Sequence, residues 1–209
     1  MPPPNDSYLN PYREAVTKHG PGFAATLWGT EAAQKLRFDV FQNMAGFDGC
    51  SLLDAGCGQG DMAAHYLKSG VALNRYHGVD ALPEMVEKAK ARDLPRCTFA
   101  TADLVNDSSI WSHADADYIC FSGTLNTMND DMARGLIHAA FTAAHQGVIF
   151  NFLSDRPHPR WHDRDLTPAR RFSTLDWLDW SFTLSSRVCF AQDYLDGHDA
   201  TILIRADGS

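Results

Sequence analysis

The 209-residue chain is short of basic residues, of paired cysteines and of long apolar runs, and each shortage removes a class of protein. Lys and Arg total 18 against 26 Asp and Glu, a formal charge of -8. A surface of that sign repels phosphate backbones at a distance, so no nucleic-acid partner is expected. The five cysteines (Cys50, Cys57, Cys97, Cys120, Cys189) form no C-x-x-C pair, and several sit in apolar runs where a free thiol packs as a small hydrophobe. An odd number of them suits a reducing cytosol better than a disulfide framework. No apolar stretch approaches the ~20 residues that span a bilayer, so no membrane partner is expected either. The start, MPPPNDSYLNPY, has neither a basic region nor an apolar core, which argues against a signal or transit peptide and for a cytoplasmic protein. No internal repeat is visible. What remains, 44% hydrophobic and 21% charged, is an ordinary soluble composition, long enough for one well-buried domain.

Short apolar runs alternate with helical stretches through the middle of that chain. Residues 1–7 are polar and Pro-rich and read as mobile, and a short helix is expected from Tyr8 to His19. EAAQKLRFDVFQNMAGF (31–47) carries Ala32, Leu36, Val40, Phe41 and Met44 near helical spacing, and Gly46 stops it. Strands are expected at CSLLDA, RYHGVD, CTFATADL, ADYICFSG and VIFNFL. Between them lie helices at GDMAAHYLKSG, PEMVEKAKARD and NDDMARGLIHAAFTAAHQG, the last capped by Asn129 or Asp130 and stopped by Gly147. This alternation means a parallel sheet covered on both faces by right-handed crossovers. After a polar, Pro-interrupted segment, Ser173-Thr174-Leu175-Asp176 has capping-box spacing, with Phe172 and Trp177 placed as a hydrophobic staple. Two closing strands flank Asp196-Gly197, a hairpin signal. The fold class expected is thus α/β: a Rossmann-like, doubly wound sheet, mostly parallel, with an antiparallel C-terminal hairpin. It is a single domain with an N-terminal helical cap (1–47), a core (48–153) and a lid loop, helix and hairpin (154–209).

Chemistry concentrates in DAGCGQGD (54–61), a glycine loop between a strand and a helix. A dinucleotide site needs G-x-G-x-x-G, so that a helix N-terminus can meet a pyrophosphate. Here the spacing is Gly56-x-Gly58-x-Gly60, with Asp54 two residues before it and Asp61 directly after, where it would repel a pyrophosphate. A sulfonium cofactor carries no phosphate: a carboxylate at the strand end can pair with its ammonium while the glycines let the backbone approach. About 20 residues on, Asp80 ends the second strand, where it can accept both ribose hydroxyls, a feature NAD and S-adenosylmethionine (SAM) sites share. Asp103 ends the third, where it can take an adenine amino group.

These segments together resemble the class I SAM-dependent methyltransferase family. LLDAGCGQGD is similar to its glycine motif, HGVDALPEMVEKA to its acidic loop, TFATADL to its adenine motif and DYICFSGTLN to its fourth-strand motif, in the right order from about Cys50 to Leu153. The resemblance implies SAM as cofactor. It places Asp54, Gly56, Cys57, Gly58 and Gly60 on the methionine side and Asp80 on the ribose, with Ala81, Leu82 and Met85 beside it. Ala102, Asp103 and Leu104 would meet the adenine, and Phe121, Ser122 and Gly123 would lie beneath the sulfonium. In relatives with a similar start the N-terminal segment crosses the cofactor, so Arg37 is a candidate for the SAM carboxylate, against a solvated helix charge. Trp28 either caps the site or anchors the helix.

The acceptor is less legible. FSGTLNTMN (121–129) lacks the Asn/Asp-Pro-Pro-Tyr run of DNA- and glutamine-type amino methyltransferases, and no acidic metal pair of the catechol O-methyltransferase kind is evident. The segment NFLSDRPHPRWHDRD follows the fifth strand onto the rim where open α/β sheets bind ligands. His158 and His162 are its candidates for a general base, against a solvated lid. Pro159 breaks the regular helical spacing that a metal pair would want, and no metal is expected. The function expected is methyl transfer to a small-molecule acceptor. The alternatives are an NAD-linked oxidoreductase, disfavoured by the glycine spacing and Asp61, and a non-catalytic SAM-binding protein.

Overall fold

A computed structural model describes residues 7–207, so all but Ser7 of the stretch expected to be mobile lies outside the described residues. Five parallel strands form in the anticipated places: β1 (Ser51–Ala55), β2 (Arg75–Asp80), β3 (Cys97–Thr101), β4 (Tyr118–Phe121) and β5 (Gly147–Ser154). A two-residue strand, β6 (Arg171–Phe172), follows, and β7 (Val188–Ala191) and β8 (Asp199–Arg205) complete the sheet. The order is β3-β2-β1-β4-β5-β8-β7, with β8 antiparallel to both β5 and β7. The chain therefore reverses its direction of build between β1 and β4, which opens a crevice at the carboxyl ends of those strands.

Side-chain alternation along the strands feeds two cores. Leu52, Tyr118, Cys120, Ile149 and Leu203 face one layer, filled by Phe38 and Phe41 of α2 (Glu31–Ala45) and by Met62 and Tyr66 of α3 (Asp61–Lys68). Leu53, Ile119, Phe121, Phe150, Phe152 and Ile202 face the other. That layer is covered by α6 (Asp130–Ala143) and α7 (Thr174–Phe182). Asn129 is the cap of α6, its side chain accepting from the Met132 N–H at 2.8 Å, since Asp130 is already inside the helix. Ser173 caps α7 through the Asp176 N–H. The staple forms as well: the rings of Phe172 and Trp177 meet edge to face at 5.3 Å.

Three expectations are corrected. α6 ends at Ala143, so Gly147 is not its stop; it opens β5 at φ 153°, where a Cβ would stand 2.3 Å from the Ile204 carbonyl oxygen. A glycine is needed there because β8 passes too close for a side chain. The buried face of α2 is Gln34, Arg37, Phe38 and Phe41, whereas Leu36 lies 37% exposed. The closing hairpin turns through a 3-10 segment at Leu195–Gly197 rather than a two-residue turn, with Leu195 and Asp196 at φ 48° and 50°.

Trp177 is the keystone of the second core: fully buried, within 5.6 Å of the rings of Phe150, Phe152, Phe172 and Trp180, and donating from Nε1 to Asp130 at 3.0 Å. Trp177→Ala should cost roughly 3–5 kcal/mol of stability, by cavity formation and loss of that hydrogen bond. Urea unfolding checks it, and a loss near 1 kcal/mol would show that the layer collapses to fill the space.

Candidate active site

The crevice between β1 and β4 is a cleft of about 860 Å³, its mouth included. The loop after β1 forms its floor. Asp80, at the end of β2, holds that loop by accepting from the Gly58 N–H at 2.8 Å and from the Leu82 N–H at 2.9 Å. Burial raises the Asp80 carboxyl and these backbone donors oppose the rise. Gly56 sits at φ 88°, and a Cβ on it would come within 2.5 Å of the Thr124 hydroxyl, which is itself bonded to the Ala55 carbonyl at 2.7 Å. Gly123 donates its N–H to Asn151 Oδ1 at 2.7 Å. The loops after β1, β2 and β4 are thereby fixed to one another.

Asp54 lies under this floor, 2% exposed, and accepts from the Tyr76 hydroxyl. Burial pushes its carboxyl up to about 7; the Tyr76 hydrogen bond opposes that, and the charges of Asp80 and Asp61 add to it. Asp61, at the first turn of α3, is paired with Arg92 at 2.5 Å. The walls of the cleft hold three carboxylates, Asp54, Asp61 and Asp80, and no Lys, Arg or His among the described residues. Ser122 Oγ, also in the wall, is a buried hydroxyl without a hydrogen-bond partner among the described residues.

An N-terminal cap covers the cleft. Tyr8, Leu9 and Tyr12, the last in α1 (Asn10–His19), line it with Thr26, Gln34 and Phe38. The ring of Trp28 stands on Gly123, where a Cβ would be only 2.4 Å from it, and Arg37 stacks on Trp28 with its guanidinium carbon 4.4 Å from the ring centroid.

Of the residues picked from sequence, Trp28, Asp54, Gly56, Cys57, Gly58, Asp80, Ala81, Leu82, Met85, Leu104, Ser122 and Gly123 line the cleft. Gly60, Ala102 and Phe121 do not: Gly60 caps α3 against Phe99 and Ala89, and Phe121 packs on Trp111 in the core. Asp103 also lies outside it, as a turn former bonded to the Tyr8 hydroxyl at 2.6 Å, to the N–H groups of Val105 and Asn106, and to the Asn106 side chain. Arg37 is neither a solvated charge nor a free fork. It is 4% exposed and bidentate to Asp199 of β8, with Nε–Oδ1 at 2.7 Å, while Nη1 donates to the Ala33 carbonyl. His158 and His162 are exposed and outside the cleft, and His158 Nδ1 is spent accepting from the Arg160 N–H. Sequence reading missed Tyr8, Tyr12, Thr26, Gln34, Phe38 and Thr124. Gln34 and Phe38 carried a usable signal, standing four apart on the face that also bears Arg37 and Phe41.

Residues 52–147 match the family model of a methyltransferase domain. That stretch, a little under half of the chain, is similar to a methyltransferase domain. The fold of the whole chain is similar to that of magnesium protoporphyrin IX methyltransferase (ChlM) from Synechocystis PCC 6803 with bound SAH, at 16% identity and a TM-score of 0.66, covering 96% of this chain and 95% of that one. It is similar also to a DhpI-SAM-HEP complex (17%, TM-score 0.63, 93% and 94% covered). The methyltransferase domain of bacterial CtHen1 is a third such structure (16%, TM-score 0.64, 83% and 99% covered). No match is found among curated proteins. Among the described residues no helix is long and apolar enough to cross a membrane.

Breaking the Arg37–Asp199 pair from one side leaves a fully buried carboxylate alone in the core. Arg37→Met should therefore lower stability by about 3–5 kcal/mol, and the double variant Arg37→Met/Asp199→Leu should recover much of it. Chemical denaturation of the three proteins measures this, and equal losses in single and double variants would mean that the pair contributes nothing specific.

Proposed function

We propose that the protein transfers the SAM methyl group to a small-molecule acceptor. The observation that carries the reading is the sign of the cleft. Asp54 and Asp80, with Asp61 already paired to Arg92 and no basic side chain in the walls, suit a ligand that brings an ammonium and a sulfonium, and repel one that brings a pyrophosphate. The same charge disfavours an NAD-linked oxidoreductase. For the acceptor, support comes from the cap: Trp28 on Gly123 at one end and Tyr8 on Asp103 at the other enclose the cleft. The net charge of -8 adds to it, and the name of ChlM gives one protein of this fold a small-molecule substrate, against the small RNA named for HEN1.

The residues present fit the cofactor. Asp80 has a lone pair left on each oxygen for the ribose hydroxyls, and Asp54 holds the charge for the ammonium. Leu82, Met85 and Leu104 give the adenine an apolar slot, and Ser122 Oγ offers an unused hydrogen bond at the β4 end. Bound there, SAM supplies an electrophilic methyl carbon on a sulfonium. The chain contributes alignment and exclusion of water, through Trp28, Tyr12 and Phe38, rather than a histidine base. Calorimetric titration with SAM and with NADH separates the two cofactor readings. Release of S-adenosylhomocysteine on incubation with a metabolite library tests transfer, and SAM binding without release under any acceptor would favour a non-catalytic binder.

Two further outcomes follow from the carboxylates. Asp80→Ala should weaken SAM binding about tenfold or more, and an unchanged affinity would remove Asp80 from the ribose. Asp54 is protonated below about pH 7 in the free protein, and a bound ammonium favours its ionised form. SAM affinity should therefore fall by up to about tenfold per unit as pH drops below that value, and level off above it. In Asp54→Asn that pH dependence should vanish; a slope that survives would place the titrating group elsewhere.

A further inference from the structure

Outside the cleft the charge pattern inverts. Residues 156–171 hold five arginines and no lysine in a chain that is acidic overall, and they run along the carboxyl rim of β5. Trp161 organises them. Its ring stacks on His198 at 4.2 Å, and the guanidinium carbons of Arg160 and Arg164 each lie 5.0 Å from its centroid. Its Nε1 donates to the Leu195 carbonyl at 3.1 Å. Arg171 braces the platform from behind, donating to the carbonyls of Ser154 and Trp161 and lying 3.3 Å from His198 Nδ1. Burial, and then the charges of Arg171, Arg37, Arg164 and Arg160, push His198 down to about 4, so it stays neutral among them.

Two of these four arginines are neutralised in contact, Arg37 by Asp199 and Arg160 by Asp196. Arg171 touches only carbonyls and a neutral imidazole, and Arg164 makes no ion pair among the described residues. Arg164 is exposed, and its Nη2 comes within 3.3 Å of where a Cβ on Gly29 would stand. Gly29 adjoins Trp28, a wall of the cleft. A guanidinium without an ion pair among the described residues thus stands beside the Trp28 wall of the cleft, stacked on an aromatic platform that a solvated lid would not require. The acids beside it in sequence do not cancel it: Asp165 accepts the Thr167 N–H, and Asp163 pairs with no described residue.

We propose that Arg164, carried on Trp161 and backed by Arg171, binds an oxyanion of the methyl acceptor, so that the acceptor is an anionic small molecule bearing a carboxylate, phosphate or phosphonate group. This deepens the methyltransferase reading and rests on it. The oxyanion is a handle for orientation, and the methylated atom is a separate matter. A guanidinium fork matches such groups in geometry and stays charged at all working pH values.

The test titrates inorganic phosphate, and separately acetate, into the protein with and without saturating S-adenosylhomocysteine, at low ionic strength. The readout is the Trp161 indole N–H resonance, assigned by loss in Trp161→Phe. A saturable shift is expected, with affinity weakened about tenfold or more in Arg164→Gln and unchanged in Arg75→Gln at the opposite end of the sheet. Tighter phosphate than acetate assigns a tetrahedral anion, and the reverse a carboxylate. No saturable shift with either anion, or the same affinity in Arg164→Gln, overturns the proposal. Failure of S-adenosylhomocysteine to bind would instead count against the cofactor reading, and the titration of the protein alone would still decide the anion site. With an acceptor in hand, Arg164→Gln should raise KM with little change in kcat.

Discussion

The buried ion pair between Arg37 and Asp199 joins the second helix of the chain to its last strand, 162 residues apart, and the site is assembled around it. Asp199 is the first residue of β8 and faces the layer under α2, so the pair fixes which face of that helix turns inward. With Arg37 inward, Gln34 and Phe38 reach the cleft and Trp28 lies over the guanidinium. Trp28 in turn rests on Gly123, whose missing side chain leaves the room it needs. A lone arginine at that depth would cost more than the packing around it returns; bidentate pairing and the Ala33 carbonyl offset the desolvation. One contact thereby sets the helix rotation, the position of the cap and the height of the cleft roof.

The cleft beneath that roof keeps carboxylates in surroundings that resist ionisation. Asp80 is anchored by two backbone N–H groups, which favour its charge, whereas Asp54 has a phenol and two like-charged neighbours. The fully buried Asp54 and the half-buried Asp80 therefore respond differently to the same ligand. Asp80 is a preformed acceptor, while Asp54 gains its charge most fully when a cation arrives. That coupling makes the site less costly to the fold than a fixed charge on both Asp54 and Asp80 would be, and reserves part of the electrostatic attraction for a positively charged ligand.

Most of this was legible where local chemistry decides structure. The parallel order, the Ser173 cap with its Phe172–Trp177 staple, and the floor residues Asp54, Gly56, Gly58 and Asp80 all follow from turns, periodicity and strand ends. What stayed hidden depends on distant partners. The face of α2 was read from Ala32, Leu36, Val40, Phe41 and Met44, of which Phe41 and Met44 do turn to the core, but Asp199 selects Arg37 in place of Leu36. Gly147 was read as a helix stop, although the constraint on it is the carbonyl of Ile204 across the sheet. Asp103 looked free to meet a ligand until Tyr8, far upstream, claimed one of its oxygens. His158 and His162 drew attention by residue type, while the histidine that the fold buries at the rim is His198, inside the closing hairpin where no motif marks it.

The two ends of the site now form one electrostatic arrangement. Carboxylates line the floor, arginines the rim, and Trp28 with Arg37 beneath it stands between them, its own charge cancelled by Asp199. On the proposed reading, a cationic donor below and an anionic acceptor above would each be drawn to their own end and repelled from the other, so exchange of positions would be penalised from both sides. Separation of this kind also bears on the transfer itself. As the methyl group moves, positive charge leaves the donor, and any negative charge on the attacking atom is consumed. A reaction that destroys charge is favoured in an enclosed, weakly solvated site, provided that the reactants can be brought in charged. On the same reading, the acidic floor and the basic rim would provide that entry, and the aromatic cap would exclude the water once both are seated.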